Sequence, residues 1–402
     1  MSTGFETLDA RRLLSVALSS KGTLIITGTS SGDLIVVSYD AAKGRVRVGD
    51  NGQNSSFTAS KVKRASVDLA GGNDRFNASD LFIKPTTITG GKGNDTIRGG
   101  GGDDEISGQS GDDNINPGPG FFNISGGPGV DTADFSDALT GLDLSLNDLN
   151  DDGVTGMAMS NVQSDFEIVQ GGAKNDTMAA GALGATLLGN GGNDSIRGSA
   201  ASDSLVGGSG NDSVAGLGGT DTVIGGKGND TLAGGPASDL VSGGDGNDEI
   251  WAVNVGGGID GTVSPHDSLY GGGNDDVLYA NAAGDNDLYG EAGNDSLLGG
   301  DGAELMRGGD GDDTLIAGIG NDTLWGEAGN DALSGSEGND ILHGGEGNDI
   351  LSGGANLDSI YGEAGNDFIF ADDSKQDSID GGDGNDLASY DSQDVVSSVT
   401  GF

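Results

Sequence analysis

An all-β solenoid of stacked parallel coils is the fold this sequence predicts, and three observations predict it. Acidic residues recur every nine positions, an aliphatic residue stands two positions after each, and the residues between them are glycine-rich turn formers. The middle run of acids is Asp194, Asp203, Asp212, Asp221, Asp230, Asp239 and Asp248. A later run is Asp295, Glu304, Asp313, Asp322, Asp331, Asp340, Asp349, Asp358 and Asp367, with Asp386 beyond it; Asp95, Asp104 and Asp113 form an early one. Their aliphatic partners in the middle run are Ile196, Leu205, Val214, Val223, Leu232, Val241 and Ile250. A flexible glycine-rich linker has no reason to keep an aliphatic residue in register through so many copies.

Each unit divides into a turn and a strand. In Gly90-Gly91-Lys92-Gly93-Asn94-Asp95-Thr96-Ile97-Arg98 the first six residues are turn chemistry, since glycine permits positive φ and asparagine tolerates it. The last three make only a very short strand, with Ile97 on one face and its neighbours on the other. Nine residues therefore make half a coil, and two units close one coil of two turns and two strands. Inward aliphatics of successive coils stack into a narrow core, with strands about 4.8 Å apart. No unit buries enough apolar surface alone, so neighbours must stack.

The same geometry places each acid beside the acid two units away, Asp194 with Asp212 and Asp203 with Asp221. Stacked carboxylates repel unless a cation lies between them. Aspartate is a hard oxygen ligand and glycine turns expose carbonyls, which together suit calcium; magnesium demands tight octahedral geometry and dehydrates reluctantly. The expected ligands are Asp95, Asp104, Asp113, Asp194, Asp203, Asp212, Asp221, Asp230, Asp248, Asp295, Asp313, Asp322, Asp331, Asp340, Asp349, Asp367 and Asp386. Together they predict on the order of ten to fifteen calcium ions, with folding and metal binding a single coupled event.

Charge points the same way. The formal net charge is -46, and it is unevenly placed: residues 1–90 carry 11 Lys/Arg against 8 Asp/Glu, the remainder 7 against 56. So acidic a segment stays expanded unless something neutralises it. It is also a poor partner for phosphate backbones, so no nucleic-acid partner is expected. With no cysteine in the chain, disulfides and thiolate metal sites are excluded. No stretch reaches the roughly 18 apolar residues of a membrane span.

The repeats resemble the RTX (hemolysin-type) family of calcium-binding repeats, G-G-x-G-x-D-x-U-x with U aliphatic. Good matches are Gly225-Gly226-Lys227-Gly228-Asn229-Asp230-Thr231-Leu232, Gly243-Gly244-Asp245-Gly246-Asn247-Asp248-Glu249-Ile250 and Gly344-Gly345-Glu346-Gly347-Asn348-Asp349-Ile350-Leu351. The resemblance implies a right-handed parallel β-roll that is disordered without calcium and folds outside the cell. Three turns depart from it. Glu304 replaces the aspartate, and Gly235-Pro236-Ala237-Ser238-Asp239 and Gly354-Ala355-Asn356-Leu357-Asp358 lose glycines, which predicts weakened calcium binding there.

The expected organisation is a targeting segment at 1–20, an N-terminal β cap at 21–89, and a first repeat block at 90–131. A β segment at 132–175 follows, then a second block at 176–250, an irregular stretch at 251–290, a third block at 291–390 and a tail at 391–402. Thr23–Ile26, Leu34–Val37 and Arg45–Val48 read as short strands of the cap. In 132–175, Leu142–Leu146 and Phe166–Val169 alternate like strands, with Met157, Met159 and Val162 adding apolar surface. Asp131 and Asp176 lie 45 residues apart, five units of nine, so this segment is expected to continue the coil. In 251–290, Trp251, Tyr270 and Tyr279 accompany Tyr289, which is expected in the core two residues after Asp287.

Enzymatic signals are thin, and no catalytic residue is assigned. Gly28-Thr29-Ser30-Ser31-Gly32 fits G-x-S-x-G but lies in a Ser/Thr/Gly turn, without the strand-to-helix elbow that motif needs. His266 and His343 are too few and too separate for an H-E-x-x-H zinc site. Asp148-Leu149-Asn150-Asp151-Asp152-Gly153 starts like an EF-hand loop, but Met159 stands where the bidentate glutamate belongs. At the N-terminus, Phe5–Ser15 resembles the L-E-P-R-x-L-L motif that opens many planctomycete surface or exported proteins, with Asp9 and Ala10 in place of Glu and Pro. The sequence thus predicts a secreted or cell-surface calcium-binding protein, a structural or adhesive roll that does no chemistry. Its expected partners besides calcium are a cell-surface polymer or other surface proteins. The alternatives are a calcium-dependent carbohydrate-binding module or an RTX-associated hydrolase.

Overall fold

A computed structural model describes residues 15–50, 53–154, 160–252, 266–280 and 284–401. Among them every regular element is a β-strand except one 3-10 turn, Ala59–Lys61. The chain divides into two compact units, residues 1–172 and 173–402.

In residues 173–402 the nine-residue unit is a turn followed by a strand, and two units complete a coil. On one side Ser195–Arg197, Ser213–Ala215 and Thr231–Ala233 pair in parallel, Ile196 facing Val214 and Val214 facing Leu232. On the other side Ser204–Ser209, Thr222–Lys227 and Leu240–Asp245 pair likewise, with Leu205, Val223 and Val241 in line. The two ladders run on to Phe368–Ala371 against Leu387–Tyr390 and Ser359–Gly365 against Ser378–Asp380. Each coil traverses both sides in the same direction, so every pairing between coils is parallel. The inward aliphatics Ile196, Leu205, Val214, Val223, Leu232, Val241 and Ile250 are at most 1% exposed. These side chains from the two ladders, continued by Leu269, Leu278, Leu288 and their successors, make up the core.

Departures from the metre are absorbed in turns. Val241 faces Leu269, Leu269 faces Leu288 and Ile360 faces Ile379, so extra residues lie in the connections while the strands stay in register. The stretch at 251–290 therefore continues the ladder through Ser268–Gly273, Val277–Tyr279 and Asp287–Ala292. Tyr289 is not in the core. One extra residue between Asp276 and the next turn shifts the frame, so Asn286 takes the acid's place and Leu288, fully buried, takes the core position. Tyr289 points outward and stacks on Tyr270 with ring centroids 4.8 Å apart.

Residues 15–172 are coiled by the same rule with longer connections. Thr23–Thr27, Arg64–Asp68, Thr86–Lys92, Asp104–Ser110, Phe122–Ser125 and Asn161–Val162 form one parallel ladder. Leu34–Asp40, Arg75–Ala78, Thr96–Arg98, Asn114–Asn116, Thr132–Asp134 and Ile168–Gln170 form the other. The cap expected over 21–89 is thus itself built of coils, with Leu24, Ile26, Ile35, Val37, Val67 and Phe76 at most 2% exposed. Between two of them Leu34–Asp40, Arg45–Asp50 and Gln53–Thr58 make an antiparallel excursion. Ser15–Leu18 lies antiparallel on Thr23–Thr27 and covers that end of the first ladder. Thr132 facing Ile168 shows that the segment after Asp131 resumes the coil within this unit. Val162 is fully buried there; Met157, Met159 and the motif at Phe5–Leu14 lie outside the described residues. No described helix is long and apolar enough to cross a membrane.

Candidate metal centre

Every turn ends on a frame residue at one edge of the coil, so residues 173–402 have two edges. The first carries Asp176, Asp194, Asp212, Asp230, Asp248, Asp276, Asp295, Asp313, Asp331, Asp349, Asp367 and Asp386. The second carries Ala185, Asp203, Asp221, Asp239, Asp267, Asn286, Glu304, Asp322, Asp340, Asp358 and Asp377. On the first edge each frame aspartate's backbone N–H donates to Oδ1 of the aspartate in the next coil, at 2.7–2.9 Å. One oxygen of each carboxylate is thereby committed to the fold.

The other oxygen is left over. Oδ2 of the eleven aspartates from Asp194 to Asp386 on the first edge is buried and has no hydrogen-bond partner among the described residues. A buried carboxylate oxygen without a donor costs several kcal/mol, on the order set by charge desolvation. Eleven in one file call for a common occupant.

The first glycine of each unit marks where that occupant fits. A Cβ placed on Gly189, Gly225, Gly243, Gly290, Gly326 or Gly362 would stand 2.2–2.4 Å from Oδ2 of the aspartate five residues later. The same point is 2.4–2.7 Å from the carbonyl oxygen of the first glycine in the next coil, Gly207, Gly243, Gly271, Gly308, Gly344 and Gly381 respectively. Those are close to calcium–oxygen distances, about 2.3–2.6 Å. Glycine is required there for space, because a side chain would fill the cradle between carboxylate and carbonyl. No three carboxylate or imidazole side chains converge on one point among the described residues. The donor set is instead one carboxylate per turn completed by main-chain carbonyls, an all-oxygen set that suits calcium.

Electrostatics carry the same message. Burial is the largest cause pushing the carboxyls of Asp194, Asp230, Asp313 and Asp349 up to about 7 and that of Asp276 up to about 8, and coulombic repulsion from stacked aspartates adds to it. The N–H donated by the preceding coil opposes the shift without cancelling it. Without a cation the edge is a file of reluctant carboxylates.

The family comparison decides what this file is. The model of the RTX calcium-binding nonapeptide repeat matches residues 86–120, 185–214, 215–250, 266–282, 281–315, 307–342 and 343–374, just over half of the chain. The chain belongs to that family. Calcium is bound by the RTX repeats, and the roll they form is a structural module whose folding depends on calcium. Among solved structures, a hyperactive, Ca2+-dependent, β-helical antifreeze protein from an Antarctic bacterium is similar over 77% of this chain and 85% of its own, at 18% identity and a TM-score of 0.37. No curated protein matches the sequence.

Not every expected ligand has this geometry. Asp95 and Asp113 share it in residues 15–172, where Asp131 extends the file and Glu167 Oε2 ends it by accepting the Asp131 N–H at 2.8 Å. Asp104 has no acidic neighbour, with Thr86 and Phe122 in the adjoining coils, yet its Oδ1 accepts the Thr86 N–H at 2.9 Å and its buried Oδ2 is unpartnered beside Gly99. Asp203 differs more: its Oδ2 accepts the Ser199 N–H at 2.7 Å and the Ser199 hydroxyl at 3.1 Å. Serine in the second turn position thus caps the oxygen that is left unpartnered on the first edge. Asp322 keeps an orphaned Oδ2 but follows Ala317 where its first glycine belongs.

Two turns expected to bind weakly keep their first glycine, with a wider cradle at Gly234. Asp239 and Asp358 keep buried, unpartnered Oδ2 atoms beside Gly234 and Gly353, since the glycine lost is that of the fourth position, at Ala237 and Asn356, and not the cradle glycine. Asp131 and Asp276 are absent from the expected ligands; Asp131 stands on the metre two units after Asp113, whereas Asp276 follows the irregular spacing after Asp248, which hides it from a nine-residue count. A second file also escapes the sequence: on the first edge the Asn, or Asp275 and Asp312, before the frame aspartate accepts the N–H of its counterpart one coil later, as Asn193 does from Asn211 and Asn211 from Asn229, each at 3.0 Å. The acidic loop at Asp148–Gly153 is satisfied internally, Asp148 by Ser164 and Asp152 by Ser145 and Val162. Ser30 sits in a bend between two strands, with no helix after it. The outward rings of Trp251 and Tyr279 stack face to face at 3.9 Å, leaving their edges and not the shared faces to solvent.

Proposed function

We propose that this protein works outside the cell as a calcium-switched structural roll, and that the first-edge aspartates from Asp194 to Asp386 are its main ligands. The observation carrying this reading is the file of buried, unpartnered Oδ2 atoms, each beside a glycine cradle of calcium-oxygen dimensions. Asp95 and Asp113, with Asp131, extend the ligand set, as do Asp221, Asp239, Asp340 and Asp358 on the second edge. Total occupancy stays on the order of ten to fifteen ions, most of them on the first edge. Calcium scarcity inside cells and its abundance outside support an extracellular address, because a chain this acidic stays expanded until neutralised. The resemblance of Phe5–Ser15 to an export or surface motif supports the same address. The rigid file of strands suits a spacer or adhesive module that presents a surface polymer or protein partner at a fixed distance. Titrating calcium into chelated protein while following β-structure by circular dichroism tests the switch. A cooperative rise is expected, and a spectrum unchanged up to ~10 mM calcium, well above extracellular-module affinities, would sink it.

A further inference from the structure

The calcium reading just given supplies the ruler for one step beyond it. At Gly335 before Asp340, and Gly353 before Asp358, a Cβ would stand 2.3 and 2.4 Å from the carboxylate Oδ2. Before Asp322 that Cβ exists, because the residue is Ala317, and it is fully buried. A methyl carbon and an ion about 2.3–2.6 Å from the same oxygen claim one volume. The defect has company. One coil earlier stands Glu304, with both carboxylate oxygens buried and unpartnered, and one coil before that Asn286, uncharged and tied through Nδ2 to the Gly284 carbonyl at 2.9 Å. Three successive second-edge positions thus lack the pairing of glycine cradle and aspartate.

Something else spans these coils. Three residues after each second-edge position the side chain points outward, and from Tyr270 through Tyr289, Arg307, Trp325 and His343 to Tyr361 these side chains stand in register on adjacent strands. Their planes stack: Tyr270 on Tyr289 at 4.8 Å, Trp325 on His343 at 3.7 Å, His343 on Tyr361 at 4.8 Å, with the Arg307 guanidinium 5.3 Å from the Trp325 ring. Glu327 accepts from Arg307 at 2.7 Å, and Glu363 Oε1 lies 2.8 Å from His343 Nδ1. In the earlier coils, where the second edge keeps Asp221 and Asp239, the same column holds Ile224 and Ser242 and makes no such stack. Stacked planar groups attract one coil to the next without any metal.

We infer that the second edge holds no calcium at the Asp322 turn and that the stacked column from Tyr270 to Tyr361 clasps those coils in its place. Equilibrium dialysis followed by metal analysis, on the full chain and its variants, tests the first half. Asp322→Asn, which keeps the Oδ1 that Glu304 N–H needs, is expected to bind as many ions as the parent. Ala317→Gly, which opens the cradle, is expected to gain about one. A loss in Asp322→Asn, or no gain in a folded Ala317→Gly, overturns the inference; if the second variant does not fold, the first decides. Asp331→Asn on the first edge separates this from the calcium reading itself, which fails if that variant loses no ion. For the clasp, Trp325→Ala is expected to raise the calcium midpoint of folding about threefold, within what one lost stacking contact can supply. An unchanged midpoint overturns it.

Discussion

The two edges of residues 173–402 are built from the same nine-residue unit and face the same solvent, yet they differ in what they keep along their length. From Asp194 to Asp386 the first edge never loses its aspartate or the glycine five residues before it. The second edge loses one or the other at Ala185, Asp267, Asn286, Glu304, Asp322 and Asp377, with Thr262, Ala317 and Asp372 where the glycines before Asp267, Asp322 and Asp377 belong, and at Asp203 a serine caps the second oxygen. Both edges keep the hydrogen bond from frame N–H to the next coil's side-chain oxygen at the turns that lack a cradle glycine or aspartate, as Asn286 accepts from Asp267 at 3.1 Å and Asp322 from Glu304 at 2.8 Å, with Glu304 itself the exception. Stacking geometry alone therefore does not need the glycine. The cradle does, and the comparison separates the part of the repeat that builds a coil from the part that holds an ion.

The largest effect that comparison predicts is loss of the fold on chelation. At calcium a hundredfold above a site's dissociation constant, each occupied site contributes about 2.7 kcal/mol. A file of such sites outweighs the 5–15 kcal/mol of net stability typical of a domain. Circular dichroism of protein in excess chelator at pH 7.5 is expected to lose its β signal. Persistence of that signal would mean the second edge and its outward stack hold the roll unaided.

Acid should replace calcium in part. The first-edge carboxyls of Asp194, Asp230, Asp313 and Asp349 are pushed up to about 7 by burial, against about 3.9 in an unfolded chain. The metal-free folded state thus binds more protons than the unfolded state between those values, and its stability falls as pH rises through that window. Calcium needs the ionised form, so its affinity runs the other way and rises with pH. In chelator the β signal is expected to grow as pH drops from 8 to 5, and the calcium midpoint of folding to move to lower concentration even as the folded roll's own affinity for calcium weakens. A flat chelated profile over that range would contradict the burial argument.

Much of this was legible in the sequence because one period fixed it. Asp and aliphatic at constant spacing gave the coil, and Asp212 beneath Asp230 could be placed by counting. Counting failed wherever a turn gained a residue, since Leu288 then took Tyr289's expected place and Asp276 fell off the metre. It also treated the glycines as equivalent, which they are not. The first gives room for the ion. The second adopts a positive φ, 120° at Gly226 and 111° at Gly244, which Glu291, Glu327 and Ser336 reach as well at 75°, 77° and 78°. A sequence motif shows both as glycine, and only the cradle distances tell which one a side chain can replace.

That distinction predicts the next effect in size. Gly326→Ala puts a methyl 2.3 Å from Asp331 Oδ2 at a residue whose φ is ordinary, so conformational strain is not the cause of any loss. The variant is expected to bind about one ion fewer and to lose about 1–3 kcal/mol in calcium, the usual range for overpacking a tight site. Metal analysis and a thermal melt measure both. Retention of the ion would show that the first edge tolerates what Ala317 introduces on the second.

Asp331→Asn and Asp203→Asn set the two edges against each other more gently. Both keep the Oδ1 that orders the coil; they differ in what the second oxygen was doing. Asp331 loses a charged ligand, and its variant should need several-fold more calcium to fold. Asp203 loses only the cap from Ser199, a contact of about 0.5–1.5 kcal/mol, and its calcium titration should overlay the parent's. Equal shifts would put an ion at Asp203 and erase the difference between the edges there.

The smallest effect is a gain. Ser336 holds φ at 78° in the second turn position before Asp340, where glycine is the relaxed residue. Ser336→Gly removes a left-handed strain of about 1 kcal/mol and gives back part of it as unfolded-chain entropy, leaving a fraction of a kcal/mol. Because the cradle glycine, Gly335, is untouched, the number of bound ions should not change while the melting temperature rises slightly. A change in ion number instead would mean that the second glycine shapes the calcium site and not merely the turn that leads to it.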